Sequence, residues 1–158
     1  MNVLIVVLED FPGGDTRVRR QVAALRDRGH GVTVLCASAY SDQAEWLGCH
    51  IERTLTRREK SGSIRRRLFE YSLFLIEIIH RITAICIRRK IDVVQIANMP
   101  DFLVLGALPV KYFMRLPIVL DMHDLMPELM ASKRGGRGFF GAILKFQESI
   151  GFLFANEV

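Results

Sequence analysis

Short, wholly apolar segments recur along this chain, separated by segments whose apolar residues have helical spacing. The first, Val3–Leu8, reads VLIVVL, and the second, Val32–Ala37, reads VTVLCA. Alternate side chains of a strand point to opposite faces of its sheet, so a strand that is apolar throughout must be covered on both faces. Such strands, alternating with helices, predict a parallel sheet with helices on both faces. With right-handed crossovers this is a doubly wound, Rossmann-like α/β fold.

The predicted elements alternate along the chain. The strands are Val3–Leu8, Val32–Ala37, Cys49–Leu55, Asp92–Ala97 and Pro117–Asp121. The helices are Thr16–Arg28, Ile64–Arg89, Asp101–Met114 and Ala142–Phe154, with Asp15 capping the first and Pro109 kinking or shortening the third. In the long helix one stripe is predicted to pack on the sheet: Leu68, Leu75, Ile79, Ile82 and Cys86.

The bulk composition sets limits on class and compartment. A chain of 158 residues has the length of one domain, here 1–158. Its first apolar run is too short for a signal peptide or a membrane span, and its three cysteines form neither a metal spacing nor an even disulfide set. We therefore predict a cytoplasmic protein, with no bound metal and no cofactor.

Ligands of doubly wound sheets bind beyond the carboxyl ends of the strands. Three predicted loops lie there: Glu9–Asp15, Asn98–Asp101 and Asp121–Glu128. The last is the hardest to explain as scaffold, because an apolar strand leads directly into acids and a histidine, DMHD. That sequence does not have the D-x-D pattern of metal-dependent transferases.

Several common ligands of such folds are disfavoured. A dinucleotide site would show G-x-G-x-x-G and an acid at the end of the second strand, but the glycines are paired, Gly13-Gly14, and that strand ends in CAS. A phosphoryl-accepting receiver domain would need an aspartate at the end of the third strand, where the chain reads ERTLTR. A phosphate-binding P-loop is absent as well.

Three segments carry a resemblance to a known family. VRRQVAALRDRGHGVTVLCA (18–37), DVVQIANMPDFLVLGAL (92–108) and PIVLDMHDLMPELMASK (117–133) resemble the N-terminal domain of family 4 glycosyltransferases. These are retaining, metal-independent enzymes of the GT-B architecture, in which two Rossmann-like domains face each other across a cleft. The resemblance implies an acceptor-side domain, a nucleotide-sugar as donor substrate and hexosyltransferase-type activity.

The resemblance also assigns roles to residues. Gly13 and Gly14 would approach the donor phosphates, since residues without Cβ and a helix N-terminus favour an anion, and Arg17 could add a charged contact. The alternative is a turn with a solvated arginine. His123 matches the histidine that the family places beside the transferred sugar, its tautomer fixed by Asp121 or Asp124. The alternative for His123 is a polar loop residue that caps the following turn.

The acceptor side is assigned less specifically. Asn98 and Asp101 follow the fourth strand, where sugar hydroxyls could find a donor and an acceptor, although Asp101 is better placed to cap a helix. Asp124 could cap a short turn, and Glu128 could either begin a helix or form a wall of the acceptor pocket.

The family's donor site carries two glutamates separated by seven residues in a C-terminal domain, and no two glutamates here have that separation. The chain is therefore expected to be the truncated N-terminal half of a GT-B enzyme, inactive alone, which needs a donor-binding domain or partner chain. The parent enzyme would build a cell-surface polysaccharide or glycolipid on a saccharide or lipid-linked acceptor. The alternatives are a non-catalytic acceptor-binding or membrane-anchoring subunit of a split transferase, and a small module that binds another anion at Gly13-Gly14.

Basic clusters predict contact with an anionic membrane surface, as in a peripheral enzyme on the inner face of the cell membrane. One cluster begins the long helix (Arg65, Arg66 and Arg67), and the other lies in KRGGRGFFGAILKF (Lys133, Arg134 and Arg137). The alternative for the long helix is that it packs on the sheet with solvated ends, and for Lys133–Phe146 both interpretations stay open. The central stripe of the long helix is expected to pack on the sheet, and the helix carries too many charged residues to span a bilayer. Nucleic acid is disfavoured, since the basic runs lack interleaved aromatics or a known motif.

Overall fold

The computed structural model describes residues 1–14, 16–38, 43–57, 64–97 and 101–121, with positions 149, 154 and 156. The strands are β1 (Asn2–Val7), β2 (Gly31–Ser38), β3 (Glu45–Trp46), β4 (Cys49–Arg57), β5 (Val93–Ala97) and β6 (Ile118–Asp121). The helices are α1 (Thr16–Asp27), α2 (Ile64–Arg89) and α3 (Leu108–Met114), and a 3-10 helix over Asp101–Ala107 precedes α3.

The strands form one six-stranded sheet in the order β3-β4-β2-β1-β5-β6. All neighbours pair in parallel except β3, which is antiparallel to β4. The first strand is central: the chain builds outward through β2 and β4, then crosses to the other side of β1 to add β5 and β6. This is the doubly wound order, so the predicted Rossmann-like α/β fold is confirmed.

Both faces of the sheet are covered, which explains why its strands are apolar throughout. In β1, Leu4 and Val6 belong to a core shared with α2, the 3-10 helix and α3. Val3, Ile5 and Val7 belong to a second core, shared with Val18 and Val22 of α1. Burial of this kind is worth about 25 cal/mol per Å² of apolar surface, and it is the main force holding the layers together.

The predicted elements match the observed ones closely, with three differences. The third predicted strand continues to Arg57, and a two-residue strand, β3, was not predicted. The third predicted helix begins as a 3-10 helix, and Pro109 lies in the first turn of α3, where its missing N–H costs least. Positions 149 and 154, in the predicted last helix, are helical; the rest of that helix and the Asp15 cap lie outside the described residues.

The buried stripe of α2 is rotated relative to its prediction. The side chains that enter the core are Phe74, Ile78, Ile82, Ile85 and Cys86. Of the predicted stripe, Ile82 and Cys86 are buried as expected, and the side chain of Leu68 lies outside what the structure describes. Leu75 and Ile79 are half-buried at the margin of the core. The apolar residues of α2 surround most of the helix, so spacing alone did not indicate which side faces the sheet.

Close helix packing on this side depends on Gly106. A Cβ at this position would lie 2.5 Å from Ile78 Cγ2, so the 3-10 helix contacts α2 through its backbone. The valine-like branch of an isoleucine in a helix has little freedom to move away. Glycine at this position therefore allows the 3-10 helix to lie directly on α2.

The outer edge of β6 contacts the last described residues. The backbone N–H of Asn156 donates to the Ile118 carbonyl (2.8 Å), and the Ile118 N–H donates to Asn156 Oδ1 (3.0 Å). Lys111 Nζ donates to the Phe154 carbonyl at 2.7 Å. These bonds satisfy backbone groups that an edge strand would otherwise leave for another chain to pair with.

Candidate functional site

The carboxyl ends of β1, β5 and β6 lie side by side at one edge of the sheet, because these strands are adjacent and parallel. The loop that contains Gly13 and Gly14 leaves this edge after β1. The chain also leaves it after Ala97 and after Asp121, which are directly paired in register. The three loops that the sequence singled out thus begin at one common edge.

The loop after β1 is fixed to the sheet by residues that the sequence did not single out. Arg53, from β4, donates Nη1 to Asp10 Oδ1 at 2.6 Å and Nη2 to the Phe11 carbonyl at 3.0 Å. The Phe11 side chain is fully buried and meets the Trp46 ring edge-on, with 5.4 Å between the ring centroids. The short strand β3 therefore covers the base of this loop.

Gly14 has a structural role in the turn that leads into α1. Its N–H donates to the Asp10 carbonyl at 2.8 Å, and a Cβ would lie 2.5 Å from that same oxygen. Gly13 differs, since among the described residues a Cβ there would meet only the Asp10 carboxylate, at an ordinary contact distance of 3.4 Å. The turn thus explains Gly14 without a ligand, whereas it does not require glycine at position 13.

Both glycines are exposed and directly precede α1, which begins at Thr16. Arg17 lies in the first turn of this helix and is also exposed. The first N–H groups of a helix and its dipole favour a bound anion. Contact between this loop and donor phosphates stays a prediction, and it now depends more on Gly13 and Arg17 than on the Gly14 amide, which is already used in the turn.

A polar network joins the end of β6 to α1. Gln21 of α1 donates Nε2 to Asp121 Oδ2 at 2.6 Å, and Gln95 of β5 donates to the same oxygen at 3.3 Å and to Gln21 Oε1 at 3.0 Å. The Asp121 carboxylate therefore ties the start of the following loop to the helix behind the paired glycines. The sequence had indicated Asp121 only as a partner for His123.

The other predicted site residues lie outside what the structure describes. His123, Asn98, Asp124 and Glu128 fall in the gaps at 98–100 and 122–148, as do three of the predicted membrane contacts (Lys133, Arg134 and Arg137). Asp101 begins the 3-10 helix, and Arg65, Arg66 and Arg67 lie in the first two turns of α2, but their side chains are not described. The assigned roles of all these residues remain predictions.

A cleft of about 330 Å³ lies at the opposite edge of the sheet, where β1, β2 and β4 begin. Its wall includes Arg88 and Arg89, which pair with Glu52 at 3.2 and 3.5 Å. Asn2, also in the wall, donates Nδ2 to the Lys90 carbonyl at the end of α2 (3.1 Å). These polar groups stabilise the C-terminal end of α2. Because the cleft lies at the opposite edge of the sheet from the three loops, it does not form part of the candidate site.

The three cysteines are buried and unpaired. Burial raises the pKa of the Cys36 and Cys49 thiols, and it raises the pKa of the Cys86 thiol to about 12. All three are therefore protonated at neutral pH and poor nucleophiles. In the part of the chain that is described, no three His, Cys, Asp or Glu side chains come together as metal ligands would.

The chain shares its fold with Rossmann-like domains of solved glycosyltransferase structures. It is similar to apo UGT2 of Phytolacca americana (TM-score 0.55, 12% identity, covering 82% of this chain and 31% of that one). It is also similar to the glycosyltransferase SsfS6 of Streptomyces sp. SF2575, solved with thymidine diphosphate (TM-score 0.55, 20% identity, covering 84% of this chain and 41% of that one). At these identities the likeness shows the fold alone, and the chain spans less than half of either protein.

Family membership comes from the sequence itself. Residues 13–146 match the family described as glycosyl transferase 4-like domain. This range is well over half of the chain, so the chain belongs to that family, and the resemblance to the N-terminal domain of family 4 enzymes is confirmed. No curated protein matches the chain.

Proposed function

We propose that this chain is the acceptor-side half of a retaining glycosyltransferase, which transfers a hexose from a nucleotide-sugar to a saccharide or lipid-linked acceptor. The observation that carries the proposal is the common edge reached by β1, β5 and β6. A family 4 domain with these three loops at one edge has the layout that one wall of a transfer cleft needs. Synthesis of a cell-surface polysaccharide or glycolipid is the pathway class that we propose for the parent enzyme.

The paired-glycine loop is proposed to face the donor diphosphate. An anion there would meet the N-terminus of α1 and the exposed Arg17, both of which favour negative charge. The nearby Asp10 carboxylate would oppose an anion, but its pairing with Arg53 at 2.6 Å compensates that charge. SsfS6, one of the similar structures, was solved with thymidine diphosphate, which supports a nucleotide-sugar as the donor class.

His123 is proposed to contact the transferred sugar. It follows Asp121 by two residues, and Asp121 is held by Gln21 and Gln95 at the common edge. A neutral imidazole there can donate a hydrogen bond to a donor hydroxyl or stabilise charge that develops at the anomeric carbon. Asn98, Asp101, Asp124 and Glu128 are proposed to bind the acceptor from the neighbouring loops.

A complete cleft requires a second wall. We propose that a donor-binding domain supplies it, either in the same polypeptide or as a separate partner chain, and that these 158 residues alone do not transfer sugar. The similar structures are consistent with this proposal, since the chain spans only 31% and 41% of their lengths.

The test is sugar transfer by the assembled enzyme, with both walls present, comparing wild type with His123→Ala. Removing one group that stabilises a transition state typically costs about 100- to 1000-fold in kcat, and we expect a loss in that range. His50→Ala is the matched control, since His50 lies at the opposite edge of the sheet, where it pairs with Glu45 at 3.3 Å. Equal turnover by wild type and His123→Ala would remove the histidine from the mechanism. An assembled protein that binds acceptor but transfers no sugar would favour the non-catalytic subunit.

A further inference from the structure

Helix α2 has a second apolar face, directly opposite the one that packs on the sheet. Four large apolar side chains on it are exposed: Phe69 (64%), Leu73 (44%), Ile76 (55%) and Ile87 (65%). At about 100° per residue they lie within about 60° of one another around the helix, on the side away from Ile78 and Ile82. We call these four residues the outer stripe. Among the described residues, the core contacts only the inner side of α2, so this part of the fold does not account for the outer stripe.

The outer stripe is continuous over Phe69, Leu73 and Ile76, and Ile87 lies about three turns further along the helix. From Phe69 to Ile87 it extends about 27 Å along the helix at 1.5 Å per residue. Two polar residues interrupt it, and both bond within the helix: Thr83 Oγ1 donates to the Ile79 carbonyl (2.8 Å), and the His80 ring Nδ1 lies 2.9 Å from the Ile76 carbonyl. Polar groups that are satisfied in this way can enter an apolar environment at reduced cost. Extended exposed apolar surface of this kind marks a contact surface.

The charges near the outer stripe favour an anionic partner. The chain carries a net charge of +5, and α2 has basic residues at both ends: Arg65–Arg67 in its first two turns and Arg88 with Arg89 in its last turn. Glu52 pairs with both Arg88 and Arg89, so it offsets one of the two positive charges at that end. The acid Glu77, on the flank of the helix, is paired with Arg81 at 2.9 Å. An apolar face between two basic ends is the arrangement of a helix that lies in the interface of an anionic membrane.

We propose that the outer stripe of α2 inserts into the surface of an anionic membrane, with the helix parallel to the membrane plane. Among the described residues, no helix is long and apolar enough to cross a bilayer, which is consistent with in-plane contact. A second copy of the chain fits less well, because pairing two such helices brings a basic end beside a basic end in either direction. This inference goes beyond the proposed function, since it needs no sugar chemistry. It extends the expectation that the arginines of this helix contact the membrane.

The first test is co-sedimentation of the chain with phosphatidylcholine vesicles, with and without phosphatidylglycerol. We expect binding to the anionic vesicles and at least a tenfold lower partition coefficient for Leu73→Gln/Ile76→Gln, which is about 1.4 kcal/mol. Leu47→Asn is the matched control, because Leu47 is an exposed leucine in the β3–β4 turn, where its carbonyl contacts Arg26 of α1, on the other side of the sheet. Circular dichroism melts establish that all variants fold. The proposal would be overturned if the wild-type protein does not bind anionic vesicles, or if the double variant binds them as tightly as wild type does.

The second test identifies what covers the stripe. An environment-sensitive fluorophore is attached at Ile76→Cys or, as control, at Leu47→Cys; the native cysteines are buried and react slowly. Vesicles should shift the emission of the first conjugate to the blue and leave the second unchanged. Blue-shifted emission before vesicles are added would mean that another part of this chain covers the stripe. Concentration-dependent dimers in sedimentation, abolished by the double variant, would identify a second copy. Either outcome contradicts membrane contact.

Discussion

The paired glycines offer a direct test of the geometry at the candidate site. Although they are adjacent and identical, the structure predicts that Gly14 does not tolerate substitution by alanine and that Gly13 does. In Gly14→Ala the new Cβ would lie 2.5 Å from the Asp10 carbonyl oxygen, about 1 Å inside normal contact. Opening the turn to relieve this contact breaks the hydrogen bond from the Gly14 N–H to the same oxygen, which contributes about 0.5–1.5 kcal/mol. It also adds packing strain of about 1–3 kcal/mol. In Gly13→Ala the nearest atom is a side-chain oxygen at 3.4 Å, so no strain is expected.

The unfolded state contributes equally to both changes. Alanine reduces the freedom of the unfolded chain and so stabilises by about 0.4–1 kcal/mol wherever the native backbone accepts it. The positive-φ glycines of the described residues are Gly29 and Gly48, so neither Gly13 nor Gly14 has a backbone that excludes alanine. We therefore expect Gly14→Ala to lower the free energy of unfolding by about 2 kcal/mol and Gly13→Ala to leave it unchanged or raise it by up to about 1 kcal/mol.

The assay is urea unfolding followed by far-ultraviolet circular dichroism, with equal m-values required so that the midpoints report stability. The reasoning fails if the two variants agree within about 0.5 kcal/mol or if Gly13→Ala is the less stable. In the assembled transferase, Gly13→Ala also separates fold from function. A higher KM for the nucleotide-sugar at unchanged stability supports approach of the loop to the donor phosphates, and an unchanged KM contradicts it.

Two further predictions concern groups that fix the loop and the core. Arg53→Met should lower the free energy of unfolding by about 2–3 kcal/mol, and Asp10→Asn should lower it by about 1 kcal/mol. Because the 2.6 Å ion pair is only partly exposed, we expect a coupling energy of about 1 kcal/mol in the double-mutant cycle measured by urea unfolding. If the effects of the two substitutions are strictly additive, the pair contributes nothing to stability. The buried Cys86 thiol stays protonated in the folded chain up to its pKa of about 12, whereas in the unfolded chain it ionises near its ordinary pKa of 9.0. Its contribution to stability is therefore complete below about pH 9 and falls as the pH rises above that value. By about pH 10.5 wild type should have lost about 2 kcal/mol relative to Cys86→Ala, measured by urea unfolding at each pH, and a pH-independent difference between the two proteins would contradict this.

The sequence predicted the parallel sheet well because each strand segment is by itself apolar along its whole length. A segment such as VLIVVL can be satisfied only by cover on both faces, whatever the rest of the chain does. The same locality explains the errors. In α2 apolar residues lie on two opposite sides, and only contact with the sheet decides that Ile78 faces inward while Ile76 faces outward. The two-residue strand β3 carries too little pattern to be detected, yet its Trp46 covers Phe11 of the loop at the site.

The candidate site was located by sequence as a set of loops and not as a set of contacts. Motif resemblance indicated Gly13, Gly14 and Arg17, but not that the Gly14 amide is already used in a turn. It also gave no sign that Arg53 would fix that loop, since an arginine in a strand has the same local pattern whether or not it has a partner.

What the sequence alone determined is the order of strands and helices, the cover on both faces of the sheet and the family, because these follow from local composition and from motifs within continuous segments. Only the tertiary structure decided which distant groups meet: Arg53 with Asp10 across 43 residues, and Gln21 with Asp121 across 100. It also decided that an apolar side of α2 stays in solvent. Contacts of this kind depend on the register of the strands and on the rotation of each helix on the sheet. Both are set by the packing of the whole core and not by any one segment.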